Sequence, residues 1–269
     1  ARRELEASLL LSFLNQGSKE EGHFVATRRA FRADADVFSA SRSDTHCQEE
    51  EEEEEDVSLN TDGSEQQHKR SFLYIVMELC DGGDLQTLIE RSPGRLLPGG
   101  PRVALDALFQ MLYAMYSARA RLAFRHYDLK LLNFLCSRSS CSRRREYSVG
   151  RARFALDDDR TTSSRQRLVV KLADFGTSQF DTTTIGAPAR GSLFATLENS
   201  PIELLTHGDA FDIHSFQADT FSLGLAALHL FTGDAPYEEI LAQARAPDAL
   251  IDVLARIWCG GKNNNNNNK

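Results

Sequence analysis

Hydrophobic and polar positions change period along the chain, and the period sorts it into elements. From Glu4 to Leu14, Leu, Glu and Ala dominate, which predicts a helix. Phe24-Val25 and Phe72 to Leu79 predict strands, the second around the compact apolar run Leu73-Tyr74-Ile75-Val76. Asp84 to Glu90 and Arg102 to Leu122 predict helices. The longer one carries Leu105, Leu108, Phe109, Leu112, Tyr113 and Tyr116 at helical spacing. Leu168 to Leu172 predicts a short strand, and Phe216 to Phe231 a helix apolar on most sides, hence buried. One more helix is expected from about Ala246 to Trp258. Few strands come first and mostly helices follow, an α+β arrangement.

Three stretches break this pattern. Residues 33–70 contain an unbroken acidic run from Glu49 to Asp56, residues 137–167 set nine arginines against four acidic residues, and residues 263–268 are all asparagine. Such tracts bury too little apolar surface to fix themselves, so all three are expected to lack fixed structure. The rest is ample for a core: 269 residues, 41% hydrophobic and 26% charged. A formal net charge of −8 argues against a general nucleic-acid binder. Cys47, Cys80, Cys136, Cys141 and Cys259 form no C-x-x-C pair, which supports neither a disulfide framework nor a zinc site and fits a reducing interior. The longest apolar stretch, Leu223 to Phe231, is too short to cross a bilayer. An intracellular setting, cytoplasmic or nuclear, is the expectation.

The chemistry is concentrated in two motifs. His126-Tyr127-Asp128-Leu129-Lys130-Leu131-Leu132-Asn133 resembles the protein-kinase catalytic loop H-R-D-L-K-x-x-N, with Tyr127 in place of arginine. Asp174-Phe175-Gly176 follows a predicted strand and resembles D-F-G. Tyr74 to Leu85 looks like the strand and hinge that join the two kinase lobes. Ser200-Pro201-Ile202-Glu203 is similar to A-P-E, and Asp219 to Gly224 resembles D-x-W-S-x-G with Phe221 for Trp. Together these cover most of residues 71–240.

Resemblance to the eukaryotic-type protein kinase superfamily, of the Ser/Thr kind, implies a fold and a set of roles. The fold would be kinase-like: an incomplete N-lobe (helix αC plus two strands) over residues 1–78 with the acidic insertion at about 33–70, then a mostly helical C-lobe over 79–262 with the Ser/Arg insertion 137–167. The asparagine tail, 263–269, would follow. Asp128 would be the carboxylate that orients the acceptor hydroxyl and takes its proton, and Lys130 would set its ammonium against the transferring phosphate. Asn133 and Asp174 would hold Mg2+ through hard oxygen atoms. ATP would meet the backbone of Glu78 and Cys80, with Met77 as gatekeeper and Leu135 as the apolar floor; core packing is the alternative for Met77 and Leu135. Asp84 would reach the ribose, or else cap the helix that follows it. Glu6, with Leu9, Leu10, Phe13 and Asn15, fits helix αC and would be its ion-pair glutamate. Asp219 would hold the catalytic loop by accepting its backbone N–H groups.

Two departures qualify the resemblance. Nothing before residue 71 matches a glycine-rich loop or the V-A-I-K strand, and the chain opens on Ala1, so a piece of a longer kinase, inactive by itself, is expected. Tyr127 cannot pair with an activation-loop phosphate as a guanidinium does, so activity should not depend on phosphorylation there. The function expected is transfer of the ATP γ-phosphate to a Ser or Thr hydroxyl of a protein substrate. The alternative is a pseudokinase or scaffold that uses the fold for partner binding, and nucleic acid and membrane partners are not expected.

Overall fold

The computed structural model describes residues 2–16, 22–33, 71–139, 145–156, 167–180, 196, 199–201 and 216–237. The expected helix at 246–258, the asparagine run and nearly all of the acidic segment lie outside them. The chain divides into two compact units, one of residues 28–76 and one of residues 1–27 with 77–269. In the smaller unit, the bodies of β1 (Thr27–Ala33) and β2 (Phe72–Met77) form a two-stranded sheet. Phe31 stacks on Tyr74 with ring centroids 5.2 Å apart.

The larger unit holds the core. Asp84 ends the short strand β3 (Gly83–Asp84) and starts α2 (Leu85–Glu90), because its carboxylate accepts the Thr87 N–H at 2.8 Å. This leaves one fewer orphan donor at the helix start. Helix α3 (Gly100–Leu122) buries Ala104, Ala107, Met111, Ala114 and Ala118, spaced alternately by three and four residues. Small side chains on that stripe let the backbone of α3 lie close to the core. The larger residues read from the sequence go elsewhere: Leu105 and Leu112 are largely exposed, and Phe109 and Tyr113 face a hairpin described below. Helix α4 (Phe216–Thr232) buries Ala218, Leu223, Leu225, Ala226 and Leu230, as its apolar composition predicts.

Three antiparallel strands, in the order β3, β4 (Phe134–Ser139) and β7 (Arg167–Leu172), connect these helices to the loops that carry the motifs. The free edge of β7 is not left open. The buried Gln110 of α3 donates to Leu168 O at 3.2 Å and accepts from Val170 N at 2.9 Å. At its far end, Leu172 exchanges backbone hydrogen bonds with His23 and Val25. Phe24-Val25 therefore makes one parallel bridge to Leu172 and not a strand of its own. Helix α1 (Arg2–Gln16) meets the same segment through Asn15, whose amide donates to Phe24 O at 2.7 Å.

The Ser/Arg segment corrects an expectation. Within it, β5 (Arg145–Val149) and β6 (Ala152–Leu156) pair as an antiparallel hairpin. Composition hides the reason: Tyr147 is fully buried, edge-on to Phe109 at 4.9 Å and to Tyr113 at 4.8 Å. Arg145 is buried too, with Asp106 of α3 at 3.0 Å. Two anchors on alternating positions of one strand are enough to dock a polar segment. Among the described residues, no helix is long and apolar enough to cross a membrane.

Candidate active site

The loop between α3 and β4 is held in a strained shape by a buried carboxylate. Tyr127 sits at φ 64°, a left-handed conformation that costs a non-glycine residue about 1–3 kcal/mol unless its surroundings enforce it. Asp219, near the start of α4, supplies that enforcement: its two oxygens accept the N–H of His126 at 2.7 Å and of Tyr127 at 2.8 Å. Burial pushes the Asp219 carboxyl up, and the two N–H bonds oppose that push. The role expected for Asp219 is thus realised in the geometry.

His126 is the hub of the loop. Its Nε2–H donates to Ala173 O at 3.0 Å, and its Nδ1 accepts the Asp128 N–H at 3.3 Å. Complete burial lowers the imidazole pKa, so the ring stays neutral and this tautomer is fixed. Phe175 is wedged edge-on against His126 and Phe124, at 5.9 and 6.2 Å. The histidine thereby ties the loop to the D-F-G segment, which Thr177 also does by donating to His126 O at 2.8 Å.

Three of the residues singled out in the loop converge. Lys130 Nζ lies 3.0 Å from Asp128 Oδ2. The Asn133 amide donates to the backbone oxygen of Asp128 at 2.8 Å and to its carboxylate at 3.3 Å. Burial alone would raise the Asp128 carboxyl. Hydrogen bonds from Thr196 and Lys130 outweigh it, and the carboxyl lies below its usual range. Asp174 stands alongside, because Ala173 N donates to Asn133 O at 2.9 Å. Its φ of 59° departs from the strand before it, and its side chain is exposed.

Thr196 is the residue that the sequence did not flag. Its N–H donates to Asp128 Oδ1 at 3.1 Å, and its hydroxyl accepts from Lys130 Nζ at 2.6 Å. One threonine among several in a polar stretch carries no pattern of its own. Its position four residues before Ser200, whose hydroxyl bonds Thr196 O at 2.9 Å, was the one available clue.

The residues assigned to the nucleotide are placed as follows. Asp84 and Leu135 are direct partners across β3 and β4, and Leu135 is the partner of Lys171 across β4 and β7. Both oxygens of Asp84 are engaged by Thr87, at 2.8 Å each, so the helix-capping alternative is realised. Met77 is about half exposed, at 47%, so core packing does not account for it. Glu78 N donates inward to Ala26 O at 2.8 Å. Its carboxylate grips Lys171 with two contacts of 2.8 Å and accepts the Ala26 N–H at 2.7 Å. This ion pair was not foreseen. Burial raises the Cys80 thiol, and it pushes Cys136 up to about 12. Glu6 pairs with Arg2 on its own helix at 3.1 Å, both of them solvated.

The donor set suits magnesium. Asn133 commits its nitrogen to Asp128, which leaves its amide oxygen for a cation, and Asp174 offers an exposed carboxylate. Among the described residues, no group of three His, Cys, Asp or Glu side chains is arranged to hold a metal. Two oxygen ligands fit an ion that keeps several waters and shares the phosphates of its nucleotide.

A mixed helix and strand body, whose loop brings a buried carboxylate, a lysine and an asparagine together, is consistent with a kinase-like fold. The model of the protein kinase domain matches residues 62–267, and the chain belongs to that family. A search of curated proteins returned no match.

Proposed function

We propose that this protein transfers the γ-phosphate of ATP, with Mg2+, to a serine or threonine hydroxyl of a protein substrate. The observation that carries the reading is the Asp128–Lys130–Thr196 contact set, with Asn133 closing it from behind. A carboxylate held below its usual range is ionised throughout the physiological range. It is therefore charged and able to align a hydroxyl through a hydrogen bond; as a weak base it would take the proton only as negative charge leaves the oxygen. Lys130, two residues away, places a cation where charge would grow on the transferred group. Asn133 and Asp174 would hold the magnesium, whose chemistry is to neutralise the phosphate oxygens. Met77, Glu78, Cys80 and Leu135 would surround the adenine, with Asp84 engaged primarily in capping. An intracellular location, where ATP and Mg2+ are available, goes with this reading.

A lysine two residues after the loop aspartate supports Ser/Thr over Tyr acceptors. The test is incubation of the protein with Mg2+ and γ-labelled ATP on a mixed protein substrate, followed by phosphoamino-acid analysis. Label on serine and threonine is expected from the full-length protein, and none from these 269 residues alone. Label on tyrosine alone would overturn the acceptor class. The alternative is a pseudokinase or scaffold that uses the fold for partner binding. It predicts nucleotide or partner binding with no label transferred at all.

A further inference from the structure

Where α3 ends and the catalytic loop begins, two arginines converge on one aromatic ring. Arg119 Cζ lies 4.0 Å from the ring centroid of Phe216, the first residue of α4, and Arg125 Cζ lies 4.5 Å from it. Attraction of each cation to the ring holds the two side by side in spite of their like charge. Among the described residues, neither guanidinium makes an ion pair.

The two arginines differ in what explains them. Arg119 is exposed and sits in the last turn of α3, where any cation complements the helix end. Arg125 is only 8% exposed, and its Nε has no hydrogen-bond partner among the described residues. A buried guanidinium with unmet donors is costly, and a ring face offers it no acceptor atom. Asp219 attracts Arg125 through space but commits its two oxygens to the N–H groups of His126 and Tyr127. The Arg125 donors therefore remain open to an anion. A phosphate group suits two guanidinium forks because it has oxygens to share between them, whereas a single fork takes both oxygens of a carboxylate.

We infer that Arg119 and Arg125 form a phosphate-binding site, with Arg125 as its buried floor and Arg119 at its mouth. Neither residue is among those assigned to ATP, magnesium or the acceptor hydroxyl. The ligand is a phosphate group from outside the chain, either free or carried on a phosphorylated peptide. Its effect falls on the loop: Arg125 exchanges backbone hydrogen bonds with Gln179, at 2.7 and 2.8 Å, and is followed directly by His126. Anchoring the Arg125 side chain steadies the joint between the catalytic loop and the D-F-G segment.

The experiment compares thermal unfolding of the protein in sodium phosphate and in sodium chloride of equal ionic strength. Affinities are read by calorimetric titration of inorganic phosphate and of a phosphoserine peptide. Phosphate should raise the melting temperature above the chloride control, because a ligand of the folded state stabilises it. Arg119→Gln and Arg125→Met should each weaken phosphate binding at least about tenfold, the loss expected for a charge-assisted hydrogen bond. Tighter binding of the phosphopeptide than of inorganic phosphate assigns the ligand to a phosphorylated protein; equal or weaker binding assigns it to free phosphate. No stabilisation over chloride would overturn the inference. So would undiminished binding by Arg119→Gln, the result for an ion held at the nucleotide site instead. Should Arg125→Met fail to fold, Arg119→Gln at its exposed position decides alone.

Discussion

The Glu78–Lys171 pair offers a sharp quantitative test, because within the larger unit it ties the segment before β3 to β7, the strand that leads into Asp174. Both side chains are about 15% exposed, at 14% and 15%, and two contacts of 2.8 Å link them. Replacing Lys171 with methionine keeps the length of the side chain and leaves the Glu78 carboxylate buried with only the Ala26 N–H for a partner. Breaking one side of a buried pair costs about 3–5 kcal/mol, and the remaining bond and residual exposure put this case near 3. For a chain of this size, that lowers the melting temperature by roughly 6–12 °C. Glu78→Gln with Lys171→Met removes both charges, so the double variant should recover most of the loss. Thermal unfolding of the two single variants and the double would give the coupling directly. Additive losses, or a loss under about 1 kcal/mol for Lys171→Met, would mean that the pair behaves as a solvated surface bridge and the reasoning is wrong.

Three further outcomes follow from the same geometry. His23 donates Nδ1–H to Val170 O at 2.9 Å, and burial lowers its pKa to about 4. The unfolded chain therefore binds a proton that the folded one refuses; stability present above about pH 6.5 is lost as pH falls toward 4, by about 3 kcal/mol in total. Denaturant unfolding across that range should show the slope, and His23→Phe should flatten it. Tyr147→Ala should cost about 3–5 kcal/mol if the hairpin is part of the core, whereas a solvated spacer would give a change within about 0.5. Because Tyr127 is buried and offers no guanidinium, alanine at Thr182, Thr183, Thr184 and Ser192 should leave phosphate transfer unchanged. Thr196 is excluded from that set because it touches Asp128. Abolished activity in the quadruple variant would refute the expectation.

The parts of the fold legible in the sequence are those whose signal is local. Helices α3 and α4 announce themselves by period, and α2 by a capping aspartate beside two glycines. The catalytic loop and D-F-G could be read because the chemistry needs particular residue types at fixed spacing. What escaped the sequence depends on pairings between distant positions. Glu78 and Lys171 are 93 residues apart; nothing local marks either of them. The hairpin at Arg145–Leu156 was masked by arginines and serines, since two buried anchors, Tyr147 and Arg145, suffice to dock it. The buried face of α3 was not legible for a related reason. Large apolar residues dominate a periodicity count, yet the fully buried stripe is four alanines around Met111, while Leu105 and Leu112 are exposed.

The central claim is that Asp128 aligns and deprotonates the acceptor hydroxyl within a loop braced by Asp219. Asp128→Asn keeps the shape and the contact with Asn133 while removing the charge. Transfer of labelled phosphate to protein should fall by at least about 10²-fold, with nucleotide affinity within a few-fold of wild type. Equal transfer by wild type and Asp128→Asn would contradict the account.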